Sequence, residues 1–403
     1  MSREYSVKSY KWTIPIVALG YWSAALTNGA LRVVVPVYFA ATGMSISKIA
    51  FLFFLFKFAE IFAPLGIGLM LNRWGYKKTF ISGLALHSAI SCFYLAPGVL
   101  FVYIERFVRG LLYMADMSAV YIKHFGAKEK QRYLINMMLG LKEASKGIGM
   151  LGGGLLITLI SIEHTITLFS VLTMVSAMVA IAFLPDLREQ VKTPVLKIWG
   201  TADKRIKTLG LGFGLLNGAL DAWGVVVLPV YLTKVLGVSP AFVGTVMMIM
   251  YLIQGAIVTL YSKYLTRPWE PRKMLLICEL TLVPVCVAMS LALPLYGFLT
   301  LVGVYMIFFS IAMVYFNHLM LDFASKEKTS LDLATYTTLT NIFKPVGVFA
   351  SGYLAESLGF ESAYYFAALL TVGSAIACLG LPNAETHHGN IVEPYVTDSA
   401  VAK

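Results

Sequence analysis

Long apolar stretches separated by short polar breaks run along almost the whole chain of 403 residues. Twelve of these stretches are long enough to cross about 30 Å of hydrocarbon as a helix. They are residues 13–40, 46–71, 79–95, 98–122, 133–160, 166–184, 208–232, 241–262, 274–293, 297–321, 331–356 and 362–381. The pattern therefore predicts an all-α polytopic membrane protein with twelve transmembrane helices.

The longest polar break, at 185–207, lies near the middle of the chain and divides the twelve predicted spans into two sets of six. We predict an N-terminal six-helix bundle over 1–184, a cytoplasmic linker over 185–207 and a C-terminal six-helix bundle over 208–381. The polar segment 382–403 is predicted to be a disordered cytoplasmic tail.

Composition and charge agree with a membrane protein. Hydrophobic residues make up 58% of the chain, charged residues 13%, and the mean hydropathy is +0.76, so there are too few charges to coat a soluble globule. With the N-terminus in the cytoplasm, 23 of the 32 lysines and arginines fall in inner segments, two in outer loops and seven within spans. This asymmetry predicts that both termini are cytoplasmic, in a multi-pass protein of the cell (inner) membrane. It also explains most of the net charge of +11 without a nucleic-acid partner.

This topology predicts that the loop 161–165 faces the outside. Single cysteines introduced there are expected to react with a membrane-impermeant thiol reagent added to intact cells. A cysteine in the central polar break should react only after the membrane is opened, which makes it the matched control. Labelling of 161–165 from the cytoplasmic side alone would show that the topology is wrong.

The cysteines and glycines give no sign of metal, redox or nucleotide chemistry. All four cysteines lie inside apolar stretches, where they are typical of small hydrophobic residues. The glycine-rich segment 149–154 lacks the strand-to-helix context and the Gly-Lys-Ser/Thr ending of a phosphate-binding loop. We therefore expect no bound metal, no cofactor, no ATP-driven step and no enzymatic activity.

The two halves of the chain are related by an internal repeat. Residues 28–31 and 217–220 both read Asn-Gly-Ala-Leu, in spans 1 and 7. In spans 5 and 11, Lys146 and Lys344 are each followed by glycines at a constant offset of 198 residues. Partner spans are six apart, an even number, so both copies have the same membrane orientation. Two parallel six-helix bundles around a central path predict transport by alternating access.

Two motifs resemble those of the major facilitator superfamily. The loop between spans 2 and 3 resembles the cytoplasmic loop signature of that family, which changes conformation during transport, at Gly68, Asn72, Arg73, Gly75 and Lys77. In the family, Asp is usual at the position of Asn72. Arg106 and Gly110 in span 4 resemble a second family motif, whereas 149–154 lacks the proline of the antiporter motif. The resemblance implies a major facilitator transporter and does not favour a drug–proton antiporter.

A narrower resemblance is to the organoarsenical efflux permeases of arsenic-resistance operons. It is carried by residues 21–22, 26–32, 46–53, 145–147, 221–223 and 228–232. Members of that family are thought to export an arsenylated phosphoglycerate, so the resemblance implies this substrate for the present chain. Asn28 stands where Asp is expected in that family, and loss of a titrating carboxylate there would alter the substrate or the coupling.

Charged side chains within the spans need a wet or paired interior, because each costs about 2.5–3.5 kcal/mol at the centre of a span. The seven basic residues are Arg32, Lys57, Arg106, Arg109, Lys142, Lys146 and Lys344. The acidic residues are Glu60, Glu105, Asp116, Glu143, Asp221 and Glu279. Several pairs, such as Lys57 with Glu60, have helical spacing, so local neutralisation is one interpretation. For Glu105, Arg106 and Arg109, a structural network and a substrate contact both stay open.

The equivalent lysines of the repeat, Lys146 and Lys344, predict a site for an anion near the midplane. The alternative is that Glu143 neutralises Lys146 and that Lys344 reaches the cytoplasmic end or Asp332. Arg32 adds a planar guanidinium suited to phosphate or carboxylate. The predicted substrate site consists of Lys146, Lys344, Arg32, Arg109, Asn28 and Asn217.

A second set of residues is predicted to act in gating or coupling. Arg32 and Asp221 have opposite charges at related places in spans 1 and 7, which favours a latch between the halves, with pairing without gating as the alternative. Glu60, Asp221 and His318 are candidate proton carriers. The predicted gating or coupling set consists of Asp221, Glu60, Glu105, Glu143 and His318.

These observations predict a secondary active transporter that exports a small organic anion, with arsenylated phosphoglycerate as the first candidate. The alternatives are transport of another phosphorylated or carboxylated metabolite or of a drug, and a non-transporting facilitator-like assembly factor. We expect a monomer in the lipid bilayer, with a small anionic substrate and a proton or counter-ion as partners.

Overall fold

The computed structural model describes residues 12–96, 98–112, 128–185, 203–264, 270–291, 293–324 and 329–381, almost all of them helical. The helices are α1 Thr13–Ala41, α2 Ile46–Ile90, α3 Val99–Leu111, α4 Lys128–Leu159, α5 Ile162–Phe183, α6 Lys204–Gly224, α7 Val227–Lys234, α8 Pro240–Tyr264, α9 Pro271–Met289, α10 Leu295–Phe323, α11 Thr329–Leu358 and α12 Glu361–Leu379. Asp116, the tail 382–403 and most of the predicted linker lie outside the described residues, so the domain boundaries stay predictions.

The helices form the predicted twelve spans in two six-helix bundles, with two differences in how the spans are divided. Spans 2 and 3 together form α2, in which the chain turns at Gly75 with a φ of 78°, a conformation that favours glycine. Span 7 is broken into α6 and α7. Pro229 in the first turn of α7 has no N–H to continue the hydrogen-bond ladder from α6, which accounts for a break just before it.

Six segments in the described part of the chain are long and apolar enough by themselves to cross a membrane. They are Thr13–Ala41, Ile162–Phe183, Lys204–Lys234, Pro240–Leu260, Leu295–Met320 and Glu361–Leu379. Several of the other spans, including α4, carry the charged side chains that lower their hydropathy. Those charges therefore have to lie inside the protein, away from lipid.

Glycines bring the repeated spans into direct backbone contact within each half. A Cβ on Gly149 of α4 would collide with the backbone oxygen of Leu26 in α1. In the second half, a Cβ on Gly347 of α11 would collide with the backbone oxygen of Gly218 in α6. Gly149 and Gly347 are equivalent positions of the repeat, so the same helix pairing occurs twice.

Alanine at these contacts is expected to prevent correct folding, because backbone atoms of a neighbouring helix cannot move aside as a side chain can. We expect Gly149→Ala and Gly347→Ala to abolish the monodisperse peak in fluorescence-detected size exclusion. Gly303→Ala is the matched control, since a Cβ there meets nothing within 4 Å. Wild-type elution and melting temperature for Gly149→Ala would contradict the close approach of α1 and α4.

The two halves are sealed against each other on the predicted outer side. Toward that side, apolar clusters in the described part of the chain join the two halves. One of them combines Leu31, Val35, Ile49, Ala50, Leu52 and Phe53 with Val225, Val226, Val230 and Val348. At the same end, the Ser47 N–H at the start of α2 donates to Glu356 of α11 at 2.8 Å. Two smaller clusters nearer the predicted cytoplasmic side contain described residues of the first half alone.

Candidate functional site

A central cavity of about 190 Å³ lies between the two halves, beneath the outer seal. It is lined by Asn28, Arg32, Phe53, Phe56, Lys57, Glu60, Arg106, Lys142, Glu143, Lys146, Phe213, Asn217, Leu220, Asp221, Tyr251, Gln254, Met313, Thr340 and Lys344. Eight helices contribute, so the wall is built equally from both repeats. A volume of this size holds about six waters, which is suitable for a small metabolite.

The charge of the cavity wall is strongly positive. Six lining residues are basic and three are acidic, which leaves an excess of three positive charges. The basic residues are Arg32, Lys57, Arg106, Lys142, Lys146 and Lys344, and the acidic ones are Glu60, Glu143 and Asp221. In a partly desolvated space such an excess attracts an anion far more strongly than it would in water.

Lys57 links the two halves at this wall. Its ammonium lies 3.3 Å from the Asp221 carboxylate of α6 and 3.5 Å from Glu60, one turn further along α2. All three side chains are buried. The predicted neutralisation of Lys57 by Glu60 is therefore present, and Lys57 has in addition a carboxylate partner from the other half.

Arg32 makes a second contact between the halves, with Tyr251 of α8. The guanidinium donates to the phenol oxygen and lies 5.6 Å from the ring centroid. Lys146 approaches the same ring at 5.9 Å. Tyr251 is therefore a site residue that sequence reasoning missed, because an uncharged tyrosine within an apolar span has no distinguishing pattern.

These contacts correct the predicted latch. Asp221 is paired with Lys57, and Arg32 is engaged by Tyr251, so in this conformation the expected Arg32–Asp221 pair is replaced by two other contacts across the interface. Equivalent positions in a repeat lie on opposite sides of the pseudo-symmetry axis. Each can therefore meet a third residue at shorter distance than it meets its counterpart.

The two repeat-related lysines both line the cavity, but their surroundings differ. The Lys146 ammonium donates to both oxygens of Glu143 at 3.0 Å. Glu143 therefore neutralises Lys146 in this structure, as the alternative interpretation of the sequence predicted. Lys142 approaches the same carboxylate at 3.8 Å. Within the described part of the chain, Lys344 has no carboxylate at ion-pairing distance. Its charge is therefore the more available of the two for a substrate.

Amide and hydroxyl groups complete the polar wall. Asn28 and Asn217 both face the cavity, as the repeat predicts for equivalent positions. Asn217 donates through Nδ2 to the Phe213 carbonyl at 2.8 Å, which leaves its oxygen available as an acceptor. Gln254 and Thr340 also line the cavity and were not predicted from sequence, since uncharged polar residues are frequent in spans.

Arg106 belongs to the cavity wall although it was not placed in the predicted substrate set. Its guanidinium lies 5.0 Å from the Phe53 ring centroid and 5.5 Å from that of Tyr94. Oε2 of Glu105 lies 3.4 Å from Nε of Arg106, which is long for a hydrogen bond. Among the described residues, neither Nε nor Nη2 of Arg106 has a hydrogen-bond partner. Aromatic packing thus holds a poorly neutralised cation beside the cavity.

Arg109 and Glu105 are not among the described residues that line the cavity, so the structure gives Arg109 no contact with the space proposed for the substrate and leaves the gating role of Glu105 a prediction. Both are completely buried and paired with each other, and Arg109 also donates to Ser91 at 2.5 Å. His87 Nε2 lies 2.5 Å from Nη1 of Arg109. Because arginine can only donate, His87 is the neutral tautomer that carries its proton on Nδ1. This network joins α3 to the second part of α2.

His318 is also not among the described residues that line the cavity, and its role in gating or coupling stays a prediction. It is exposed on α10 one turn from Asp322. Of the loop motif, Gly75 forms the turn within α2 and Lys77 is half-buried beyond it. The side chains of Gly68, Asn72 and Arg73 are outside the described part, so their role stays a prediction.

Comparison with known families gives a match over nearly the whole chain. The profile of the Major Facilitator Superfamily matches residues 17–209 and 209–394, one copy in each half. Comparison with curated protein sequences gives no significant match.

Two solved structures share the fold. The human organic anion transporter MFSD10 (TETRAN) is 12% identical with a TM-score of 0.69, over 91% of this chain and 99% of that one. A bacterial homolog of the human lysosomal transporter Spinster, in an inward-facing and occupied conformation, is also 12% identical. Its TM-score is 0.76, over 93% of this chain and 97% of that one. At this level of identity, the likeness shows the fold alone.

Proposed function

Because the chain belongs to the Major Facilitator Superfamily and is a secondary transporter, we propose that it carries a small organic anion through its central cavity. The observation that carries this proposal is the excess of three positive charges on the cavity wall. A substrate with two or three negative charges would neutralise that excess. A neutral or cationic substrate would leave it unpaired in a space of low dielectric constant.

The size and chemistry of the wall favour a compact phosphorylated or carboxylated molecule. Arg32 supplies a planar fork for a bidentate contact, and Lys344 supplies a point charge from the opposite half. Asn28, Asn217 and Thr340 are suited to hydroxyl groups of the substrate. The aromatic and aliphatic lining residues leave room for a short carbon chain.

Within this class we propose an organoarsenical, arsenylated phosphoglycerate, as the first substrate to test. The support is the resemblance of residues 26–32, 145–147 and 221–223 to organoarsenical efflux permeases. Arg32, Lys146 and Asp221 within those segments all line the cavity. The likeness in fold to a human organic anion transporter agrees with the broader class of substrate. Other phosphorylated or carboxylated metabolites are the next candidates.

We propose that substrate binding competes with the two polar contacts between the halves. An anion that attracts Lys57 weakens its pairing with Asp221, and an anion that grips Arg32 withdraws it from Tyr251. Both changes reduce the attraction between the halves around the cavity. A ligand shifts a conformational equilibrium only if it binds one state better than the other. Weakening these contacts would let the bound anion favour the state in which the two halves separate around the cavity, as alternating access requires.

We further propose a monomer of the cell (inner) membrane with cytoplasmic termini and export as the direction of transport. In this orientation the conformation described is closed toward the outside by the apolar seal. Glu60 and Asp221 are the proposed proton-coupling groups, because both are buried carboxylates at the cavity that share Lys57.

The proposal is tested with purified protein in proteoliposomes loaded with a phosphorylated three-carbon acid, its arsenylated adduct, or a neutral polyol of equal size. We expect saturable efflux of the anions and no efflux of the polyol. Glyceraldehyde phosphate, arsenate, NAD⁺ and a glyceraldehyde-phosphate dehydrogenase enclosed in the liposomes supply the arsenylated adduct, with NAD⁺ as the oxidant that is reduced to NADH. Transport of the polyol without transport of any anion would refute the proposed substrate class.

A further inference from the structure

Glu279 is a buried carboxyl group that the proposed transport cycle does not use. It lies on α9, is completely buried, and faces α6 and α12 inside the second half, away from the cavity. Within the described part of the chain, it forms no ion pair with a basic side chain. An isolated ionised carboxylate in such a place would cost far more than a neutral one.

The hydrogen bonds around Glu279 show where a proton is needed. Ser374 Oγ on α12 lies 2.8 Å from the Gly212 carbonyl and 2.5 Å from Glu279 Oε1. A hydroxyl group has one proton and can donate only one of these two bonds. A backbone carbonyl can only accept, so Ser374 donates to Gly212. The short bond to Glu279 then requires a proton on the carboxyl group itself.

The other groups around this carboxyl provide no compensating charge. Cys378 on α12 lies 3.6 Å from Oε1 and is a weak neutral donor. Cys278 is next to it on α9, and Arg272, two turns away, donates to the Leu379 carbonyl. None of the described residues donates to Oε2, which a neutral acid tolerates better than a carboxylate does.

The charged groups of the other two neighbouring helices are also distant or turned away. On α6, Lys207 and Asp221 are separated from Gly212 by about 7 and 13 Å along the helix axis. On α10, Phe316 packs against Gly212, whereas His318 and Asp322 are exposed. Burial without an ion-pair partner in the described part of the chain therefore favours the neutral form of Glu279.

We propose that Glu279 is a proton-binding site, at which a bound proton joins three helices of the second half. The neutral carboxylic acid on α9 donates to Ser374 on α12, and Ser374 donates to the Gly212 carbonyl on α6. Loss of the proton removes the hydrogen bond from Glu279 to Ser374 and leaves a buried negative charge on Glu279. The site is independent of the anion cavity, so its failure would not affect the proposed substrate.

The test compares melting temperatures of the wild-type protein and Glu279→Gln in detergent, at about pH 4.5, near the ordinary pKa of an exposed glutamic acid, and at about pH 8. Gln keeps the shape and a donor but cannot ionise. We expect the two proteins to melt within about 2 °C of each other at the lower pH, and Glu279→Gln to melt at least about 4 °C higher at the upper pH. The matched control is Glu163→Gln at the exposed start of α5. Its melting temperature should equal that of the wild-type protein at both pH values.

If the melting temperatures of the wild-type protein and Glu279→Gln fell equally between the two pH values, the proposal would be overturned. If Glu279→Gln does not fold, the infrared spectrum of the wild-type protein provides the second measurement. It should contain a protonated-carboxyl carbonyl band at neutral pH that shifts in Ser374→Ala, where the acceptor is lost. A spectrum whose protonated-carboxyl region is unchanged by Ser374→Ala would also overturn it. Anion transport by Glu279→Gln should remain normal in proteoliposomes.

Discussion

Replacing Lys344 by Gln is expected to lower anion transport at least about tenfold while the protein still folds. One charge-assisted hydrogen bond contributes about 1.5–3 kcal/mol, which corresponds to a tenfold or larger change in affinity. Lys344 lines the cavity and forms no ion pair with a described carboxylate, so its charge is free to meet the substrate. Initial rates in proteoliposomes at several substrate concentrations measure the effect.

Two other lysines make this experiment specific. Lys146→Gln should have a smaller effect on transport than Lys344→Gln, because Lys146 is already bound by Glu143. Lys234→Gln, at an exposed position near the end of α7, should transport like the wild type. Equal and normal transport by Lys344→Gln and Lys234→Gln would remove Lys344 from the site.

Breaking the contact between Lys57 and Asp221 is expected to destabilise the protein, by about 3–5 kcal/mol for Lys57→Gln, which leaves the buried carboxylates of Asp221 and Glu60 without their shared partner. The loss should be smaller for Asp221→Asn, because Lys57 keeps Glu60. Asp221→Asn and Lys57→Gln should each lower the melting temperature. The double variant should recover part of the loss, since it removes both charges. Thermal unfolding in detergent gives the coupling energy through a double-mutant cycle.

A second cycle on Arg32 and Asp221 provides the comparison. These two residues have different partners in the structure, so their effects should add within about 0.5 kcal/mol. Strong coupling between Arg32 and Asp221, together with additive effects for Lys57 and Asp221, would contradict the contacts described here and restore the latch expected from sequence symmetry.

The fold followed closely from two features of the sequence. The apolar stretches marked the spans, because a bilayer sets a minimum length for every crossing helix. The repeated glycines marked which spans correspond in the two halves, and Gly149 and Gly347 make equivalent helix contacts in the structure. The break between α6 and α7 was not expected, because proline is tolerated inside spans and Pro36 lies within the continuous helix α1.

The candidate site could be predicted only in part, and the reason is geometric. Charge within a span shows that a residue faces the protein interior, but it does not tell the cavity from a packed interface. Arg32 and Arg109 have the same chemistry in the sequence, yet Arg32 lines the cavity and Arg109 is enclosed with His87, 22 residues away. Partners such as Tyr251 come from the other half of the chain, beyond the reach of local spacing.

Ligand protection of the purified protein against thermal unfolding tests directly whether the basic cavity selects multiply charged anions. The ligands are compact molecules of matched size that are trianionic, dianionic, monoanionic, neutral and cationic. Binding should stabilise the folded state by an amount that rises with affinity. We expect the stabilisation to increase with the negative charge of the ligand. Lys344→Gln should lower the apparent affinity for the anions at least about tenfold. Stronger stabilisation by the neutral or cationic molecules than by the dianions would contradict this selectivity.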